Sequence, residues 1–471
     1  METQNKNILD RINERISQSV TFKLISIGIL VLLLLIPKAM INDLILEREH
    51  RMLETIHEVT DKWSRSQTIS GPSIIIPYQK LIELEEEKGV KTVIRYATFL
   101  PEELHIKSIV EPEERYRGIF KVIVYKAQIT ISGKFPKPDF RSWDISTEDI
   151  QWSKAILNLG ISDLRGIEKQ VSLALDGENY PFSPGVSANS LSESGIHLPL
   201  EPLVDHFYEN NFTIDIPLKG SERLFFVPLG KDTQVKMTSS WKDPSFTGSF
   251  LPKQREVNNE GFEATWQVLH FNRNYPQSWT EQHYYIDDDN YQDNPYKLTD
   301  NYAANKNLNK NDIGSSKFGV NLLVTADHYQ KSLRSSKYSI LIIALSFLMF
   351  FLIEVTQKLR IHAFQYILIG LALMIFYTLL LSISEHLGFN LAYWISCLSV
   401  IALITFYSNS ILGKRKMAYM LAASLTAIYG FLFIIIQIET YALLVGSIGL
   451  FIILALTMYY TRKISWYRAG S

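Results

Sequence analysis

The sequence predicts six transmembrane helices, one before and five after a large soluble domain rich in antiparallel β-strands. Three observations support this fold class. One isolated apolar run occupies residues 24–35, and five more apolar runs follow Ser336. No segment between them is long and apolar enough to cross a bilayer, which takes roughly 20 mostly apolar helical residues. Within that interval, apolar and polar residues alternate with the period of two that is typical of β-strands.

The first apolar run predicts an uncleaved signal anchor over residues 21–41. A signal peptide is the alternative, but no small-residue cleavage site follows the run, which continues as Ile36-Pro37-Lys38-Ala39-Met40. The later runs predict spans at residues 338–355, 363–382, 391–407, 417–437 and 441–460. The chain therefore divides into an N-terminal segment (1–20), the anchor (21–41), a β-rich domain (42–336), a five-helix bundle (337–460) and a tail (461–471).

Basic residues in the short loops predict the orientation. The loops at residues 383–390 and 438–440 contain no Lys or Arg, whereas the alternate loops and the tail do. Short loops rich in Lys and Arg stay in the cytoplasm, so both termini are expected inside and the large domain outside the cytoplasm. The residues that indicate this are Lys358, Arg360, Lys414, Arg415, Lys416, Arg462, Lys463 and Arg468.

The large domain is expected to begin with a helix that continues the anchor as far as Trp63. Apolar residues recur there at helical spacing, and Pro37 is positioned to kink the helix. Strands then dominate, as where Tyr125, Ala127 and Ile129 alternate with polar residues. One helix is expected at residues 146–160, because Ser146 is a suitable N-cap and Gly160 a suitable end. Residues 284–316, rich in Asn, Asp, Lys and Tyr, predict a long surface loop.

Composition and motifs exclude several function classes. The formal net charge of −1 gives no indication of nucleic-acid binding. The single cysteine, Cys397, lies in a predicted span, so the soluble domain has neither disulfides nor a thiolate metal site. The histidines are scattered, and the acidic run at residues 287–293 lacks the glycine and terminal glutamate of an EF-hand loop. We find no catalytic motif and expect no enzyme, no metal and no cofactor.

Charged residues are absent from the centres of the predicted spans, which argues against a proton-coupled pump or an ion carrier. The nearest candidates lie at span ends. Glu354 is four residues before Lys358 and is interpreted as half of an interfacial ion pair. Glu385 and His386 are either hydrated interface residues or residues that touch the soluble domain.

Several short stretches, spread over nearly the whole chain, carry a family resemblance. They are Glu47-Arg48 with Arg51, Trp63, Gly71-Pro72, Pro77-Tyr78, Phe99-Leu100-Pro101-Glu102, Gly160-Ile161-Ser162-Asp163-Leu164-Arg165-Gly166-Ile167, Ser240-Trp241, Pro244-Ser245-Phe246, Phe250-Leu251-Pro252, Phe318-Gly319-Val320, Asp327, Tyr329, Lys337-Tyr338, Phe376-Tyr377 and the run Leu379–Phe389, which reads LLLSISEHLGF. In this order they resemble the CreD family of bacterial inner-membrane proteins, which are associated with cell-envelope integrity. The run Leu379–Phe389 resembles the most distinctive stretch of that family's bundle, and residues 284–316 are matched least.

The resemblance implies an inner-membrane location, a periplasmic β domain and a role in the response to envelope stress. It supplies no catalytic residues. Its motif residues have structural interpretations: Asp163 and Arg165 as an ion pair or a turn closure next to Gly166, and Trp241 and Phe246 as core residues. The role of Glu385 and His386 in the motif stays open.

Three functions remain as hypotheses. The first is a non-enzymatic protein whose β domain binds an envelope lipid, protein or cell-wall component, while the helices sit in the lipid bilayer. The second is a transporter or lipid-handling protein, which requires a polar cavity or groove among the helices. The third is a hydrolase of envelope polymers, which requires a cleft with convergent carboxylates.

Overall fold

The computed structural model describes residues 20–84, 89–187, 189–201, 207–208, 210–286, 311–322, 327–357, 359, 361–438 and 441–462. The chain forms two compact units. The helical unit combines the N-terminal residues up to Leu53 with the residues from Thr325 onward, and the β unit spans Glu54–Val324.

Eight α-helices lie in the described part of the chain. Six segments are long and apolar enough to cross a membrane, one near the N-terminus and five near the C-terminus, which confirms the predicted one-plus-five pattern. The helices are α1 (Val20–Leu33), α2 (Leu35–Trp63), α3 (Asp327–Lys337), α4 (Ser339–Gln357), α5 (Ala363–Leu387), α6 (Phe389–Leu412), α7 (Arg415–Gln437) and α8 (Ala442–Thr461).

The predicted helix through Trp63 is present, with an interruption at Leu34. Leu34 separates α1 from α2 and lies three residues before Pro37. Proline has no backbone N–H, and its ring crowds the carbonyl group one turn earlier, so the helix is disturbed on the N-terminal side of the proline. The two helices together form one candidate span of 42 residues, Phe22–Trp63.

The β unit contains two sheets. The nine-stranded sheet has the order β13-β17-β11-β1-β5-β9-β8, with β2 paired to β1 and β16 paired to β2; the eight-stranded sheet has the order β14-β15-β12-β3-β4-β10-β6-β7. The strands are β1 (Gln67–Leu84), β2 (Gly89–Phe99), β3 (Glu103–Arg117), β4 (Phe120–Lys134), β5 (Ile156–Ile161), β6 (Ser172–Leu175), β7 (Glu178–Pro181), β8 (Ser183–Pro184), β9 (Gly195–Pro199), β10 (Phe212–Ser221), β11 (Arg223–Val227), β12 (Asp232–Ser239), β13 (Ser245–Gly248), β14 (Gln254–Asn258), β15 (Gly261–Leu269), β16 (Ser278–Trp279) and β17 (Phe318–Asn321).

Most strand pairs are antiparallel, as the alternating pattern predicts, but two are parallel: β1 with β11, and β12 with β3. Sequence periodicity does not distinguish these, because one buried face gives the same alternation in both cases. In β4, Tyr125, Ala127 and Ile129 are buried while Lys126 and Gln128 are exposed. Both sheets contribute to a single hydrophobic core, so each covers the inner face of the other.

The prediction of a helix at residues 146–160 is wrong. The segment forms two short 3₁₀ turns, Thr147–Asp149 and Trp152–Lys154, followed by β5. The β5 segment pairs on both sides, with β1 and with β9, and five of its six residues are buried. A strand buried on both faces reads as a continuous apolar run, which periodicity alone does not separate from a helix. The loop predicted at 284–316 lies mostly, and its acidic run at 287–293 entirely, outside the described residues.

Candidate functional site

Asp163 joins three segments of the β unit. Its carboxylate accepts hydrogen bonds from the backbone N–H groups of Arg65 (2.9 Å) and Arg165 (3.1 Å) and forms an ion pair with the Arg165 guanidinium at 2.7 Å. The Arg165 side chain also donates to the carbonyl oxygen of Asp61, near the end of α2. The pair therefore links the end of α2, the beginning of the first sheet and the turn after β5.

The environment of Asp163 favours its ionised form. Burial raises the pKa of this carboxyl, but the hydrogen bonds from Arg165 and from the backbone of Arg65 and Arg165 outweigh burial and lower the pKa to about 2. The Asp163 side chain is 10 % exposed and that of Arg165 is 54 % exposed. Both oxygens of the Asp163 carboxylate accept hydrogen bonds, from Arg65 and Arg165. The ion pair therefore holds a junction between chain segments.

Gly166 lies against the same junction. A Cβ at this position would overlap the carbonyl oxygen of Lys219 and the amide nitrogen of Gln67. The fully buried Gln67 amide nitrogen donates to Ser64 Oγ (2.9 Å) and to the carbonyl oxygens of Asp163 (2.9 Å) and Lys219 (3.0 Å). Close approach of backbone to a buried amide explains why glycine occupies this position.

Trp241 and Phe246 pack on the core of the β unit. Phe246, in β13, makes edge-to-face contacts with Phe262 (5.4 Å between ring centroids) and Trp266 (5.7 Å). The indole N–H of Trp241 donates to the carbonyl oxygen of Asp243 at 3.0 Å. Phe246 therefore contributes aromatic packing in β13, the first strand in the order of the nine-stranded sheet, and Trp241 covers part of the core.

In the helical unit, Glu354 forms a cluster with Lys23, Tyr366 and Ile361, called the Glu354 cluster below. The Glu354 carboxylate is 3 % exposed, pairs with Lys23 Nζ at 2.6 Å, and accepts from the Tyr366 hydroxyl and the Ile361 N–H, each at 3.1 Å. The ion pair expected between Glu354 and Lys358 is not tested, because Lys358 lies outside the described residues. Among the described residues, the ion-pair partner of Glu354 is Lys23 in α1.

A second cluster, the Glu385 cluster, consists of Arg48, Tyr329 and Glu385. Arg48 Nε and Nη2 donate to the two Glu385 oxygens at 2.8 and 2.7 Å, and the Tyr329 hydroxyl donates at 2.7 Å. The Glu385 side chain is only 7 % exposed, so it is not the hydrated residue that was one of the two expectations. Its described partners are in α2 and α3 of the helical unit. His386 is exposed.

The two clusters lie at opposite ends of the helical unit. Nineteen residues of α5 separate Tyr366 from Glu385, which corresponds to roughly 28 Å at 1.5 Å per residue. Sequence reasoning did not assign roles to Lys23, Arg48 or Tyr366. A signal was available for Lys23 and Tyr366, which are polar residues at the ends of apolar runs, and for Arg48, which belongs to a stretch that resembles the family. The sequence does not show which of these residues meet.

Four large concave surfaces lie in the β unit. A groove of about 680 Å³ runs along β3, β12, β14 and β15 and carries Glu111, Glu256, Glu260 and Glu263. Three further concavities of about 380, 350 and 360 Å³ lie beside the nine-stranded sheet. Among the described residues of the helical unit, the cavity beside Phe350 and Leu425 holds only about 10 Å³. The described histidines, cysteine and carboxylates form no group of three that could hold a metal ion.

These features define the class: a multi-pass membrane protein with one N-terminal helix, a β-rich insert and a C-terminal helical bundle. The chain belongs to the family described as inner membrane protein CreD, whose match covers residues 19–467. A protein of Escherichia coli (strain K12) named "Inner membrane protein CreD" is 32 % identical over 454 residues, which cover 95 % of this chain and 93 % of the relative. The family resemblance seen in the sequence motifs is thereby confirmed.

Proposed function

We propose that the protein supports the integrity of the bacterial cell envelope without catalysing a reaction, and contributes to the response to envelope stress. In this proposal the β unit lies in the periplasm and binds an envelope component, while both termini lie in the cytoplasm. Family membership supports the inner-membrane location. The Lys and Arg residues in alternate short loops support the orientation.

One observation carries the proposal: the surfaces that could hold a ligand are on the β unit. Ligand sites are typically clefts of about 300–1,000 Å³, and four concavities of the β unit fall in that range. The cavity of about 10 Å³ among the described helices is no larger than one water molecule. Binding by the sheets, with the helices as membrane support, fits this distribution better than transport through the bundle.

The geometry of the widest groove favours binding over hydrolysis. Its four carboxylates, on Glu111, Glu256, Glu260 and Glu263, are all exposed. Glu263 pairs with Lys236 at 2.8 Å. A carboxylic acid that protonates a leaving group is normally shielded from water, as in an apolar pocket. The groove therefore has carboxylates but lacks the shielding that this chemistry uses.

The orientation is tested by cysteine labelling, because the chain has only one cysteine and it is buried. In a Cys397→Ala background, Leu251→Cys in the β unit and Lys414→Cys between α6 and α7 each introduce one exposed thiol. A membrane-impermeant maleimide applied to cells with a permeabilised outer membrane should label Leu251→Cys and leave Lys414→Cys unlabelled until lysis. The reverse pattern would overturn the proposed orientation.

Binding is tested by placing a photo-crosslinking amino acid in living cells at Glu256 or at Tyr96, which line different grooves of the β unit. The matched control is the exposed Tyr116, which lines none of the four grooves. We expect an adduct with an envelope lipid, glycan or protein at a groove position and not at Tyr116. Absence of any such adduct at both groove positions, under resting and envelope-stress conditions, contradicts the proposal.

A further inference from the structure

The three smaller concavities of the β unit form one continuous groove. The first and second share Ser187, the second and third share Asn189 and His283, and the first and third share Tyr96. We call this surface the Tyr96 groove. Its floor includes Ile75, Pro77 and Ile156, from neighbouring strands of the nine-stranded sheet. This floor consists of regular strands, which hold a binding surface in place better than loops do; loop residues such as Ser187 and His283 form the rest of the lining.

Strand register places Asn158 under this groove. On β5, Asn158 is two residues from the groove residue Ile156, so the two side chains point to the same face. On β9 the residue directly opposite Asn158 is His197, which also lines the groove. The side chains of Leu157 and Leu159 point the other way, into the hydrophobic core.

Two polar groups at this place are buried without a described partner. Asn158 is 1 % exposed; its Oδ1 accepts from the Ser187 N–H at 2.9 Å, but its Nδ2 has no hydrogen-bond acceptor among the described residues. The hydroxyl of Ser187, which lines the groove, has no partner either. An unsatisfied buried donor costs about 1–3 kcal/mol, and such groups are normally paired in folded proteins. A ligand with hydroxyl or amide groups would pair both.

The lining combines flat rings with neutral hydrogen-bonding groups. Tyr96 and Tyr285 are half-buried residues that line the groove, and His197 and His283 add two imidazoles. Hydroxyl and amide groups lie between them. The basic residues Lys154 and Arg95 are matched by acidic Glu193 and Glu281, so the groove has no dominant charge.

We infer that the Tyr96 groove binds a saccharide chain. A sugar ring offers a face of C–H groups to an aromatic ring and a rim of hydroxyl groups to amides, hydroxyls and imidazoles, and the groove presents both kinds of partner. The inference rests on the proposed function, because it names the chemical class of the envelope component. The widest groove fits less well, since exposed carboxylates line it and its aromatic residue, Phe262, is buried.

The test is calorimetric titration of the full chain in a zwitterionic detergent, because glycoside detergents would compete for the groove. The probes are tetra-N-acetylchitotetraose and cellotetraose, two β-linked tetrasaccharides with and without acetamido groups. We expect saturable binding of the acetamido probe. Replacing the ring in Tyr96→Ala should weaken it about tenfold, the loss expected for one aromatic contact.

A second variant separates binding from folding. Ser187→Ala removes a hydroxyl that has no described partner, so thermal stability should stay equal or rise while saccharide affinity falls. Tyr116→Ala, outside the groove, should change neither. The inference is overturned if neither tetrasaccharide binds, or if binding is unchanged in both Tyr96→Ala and Ser187→Ala. In that case a lipid or protein adduct in the crosslinking experiment would leave the proposed function standing, so the two failures are distinguishable.

Discussion

Asp163 shows how a single side chain can hold a junction between distant parts of the chain. Its carboxylate accepts a hydrogen bond from the backbone N–H of Arg65, 98 residues away in the chain. It also positions the Arg165 side chain, which reaches the end of α2. The ionised carboxylate is the form that accepts all of these hydrogen bonds. The pKa of Asp163 is about 2 in the folded protein, below its ordinary value, so ionisation of this carboxyl stabilises the folded state.

Asp163→Asn should destabilise the β unit by about 2 kcal/mol at neutral pH, since the shift from an ordinary pKa near 3.8 to about 2 corresponds to that energy. The folded pKa lies below the unfolded value, so this stabilisation is present above about pH 4 and disappears as the pH falls toward 2. Unfolding followed by tryptophan fluorescence is suitable, because six of the eight tryptophans lie in the β unit.

Asp139→Asn is the matched control, because Asp139 and Arg141 have the same spacing as Asp163 and Arg165. The control pair is exposed, at 56 % and 92 % of the two side chains, and exposed pairs contribute little. We expect its effect to be small at every pH. If Asp163→Asn lowers the free energy of unfolding by the same amount from pH 7 to pH 2, the ionised Asp163 carboxylate is not the source of the stabilisation.

Gly166→Ala should destabilise the β unit by about 1–3 kcal/mol, the usual range for an added methyl group in a filled site. The new Cβ would meet the Lys219 carbonyl and the Gln67 amide, neither of which can move without breaking hydrogen bonds. Thermal unfolding followed by tryptophan fluorescence measures the effect. Gly430→Ala on α7, where nothing lies within 4 Å of the new Cβ, should be neutral or stabilising; equal effects of the two changes would refute the steric account.

At the scale of elements, the N-terminal helix is attached to the other helices by two polar clusters. Lys23, near the start of α1, pairs with Glu354 at the end of α4. Arg48, in α2, pairs with Glu385 at the end of α5. The span between them is otherwise poorly covered: only 17 % of its most apolar window is buried in the structure. The clusters therefore add polar attachments at two points to the apolar packing of residues such as Leu34 and Ile45.

Removing one partner of the Glu385 cluster should destabilise the helical unit by several kcal/mol, because it leaves a mostly buried charge without its partner. Arg48→Met and Glu385→Gln, with the double variant, form a double-mutant cycle that isolates the pair. Helical circular dichroism during thermal unfolding in detergent is the measurement. We expect the double variant to be less destabilised than the sum of the single variants.

Arg51→Met serves as the control on the same helix, since Arg51 and Glu47 are exposed at 58 % and 54 %. Its effect should not exceed about 0.5 kcal/mol, as for most surface pairs. If the destabilisations caused by Arg48→Met and Glu385→Gln simply add in the double variant, the Arg48–Glu385 pair contributes no interaction energy to stability.

Sequence reasoning predicted those elements whose pattern has one physical explanation. Apolar runs of membrane length predicted all six spans, and strict alternation predicted the strand at β4. It failed at residues 146–160, where an apolar strand buried on both faces has the composition of a buried helix. The parallel pairing of β1 with β11 could not be predicted from the sequence pattern either, because it joins residues more than 150 positions apart.

The candidate sites were less predictable than the fold. Asp163 and Arg165 could be recognised as a possible pair because they are two residues apart. The partners of Glu354 and Glu385 could not, since Lys23 and Arg48 lie more than 300 residues away in the chain. The Tyr96 groove gave no sequence signal, because its residues come from several strands and loops and follow no motif.

At the scale of the whole molecule, the candidate spans and the grooves lie in different units. The six candidate spans begin or lie in the helical unit, and the four grooves described above are in the β unit. The family relationship extends over both, because the match to the Escherichia coli protein covers 95 % of the chain. The helices and the β-rich insert thus belong to one shared architecture.

The separation of the two polar clusters has a consequence for the lipid around the protein. Lys23 and Arg48 are 25 residues apart, or roughly 37 Å along an ideal helix, compared with a hydrocarbon core of about 30 Å. Because both ends of the helix are held, it cannot relieve hydrophobic mismatch by tilting alone. Reconstituted in vesicles of increasing acyl-chain length, the protein should have a stability optimum at one chain length, as judged by its thermal unfolding, and Arg48→Met should flatten that optimum. An identical profile for both proteins would show that bilayer thickness does not act through this attachment.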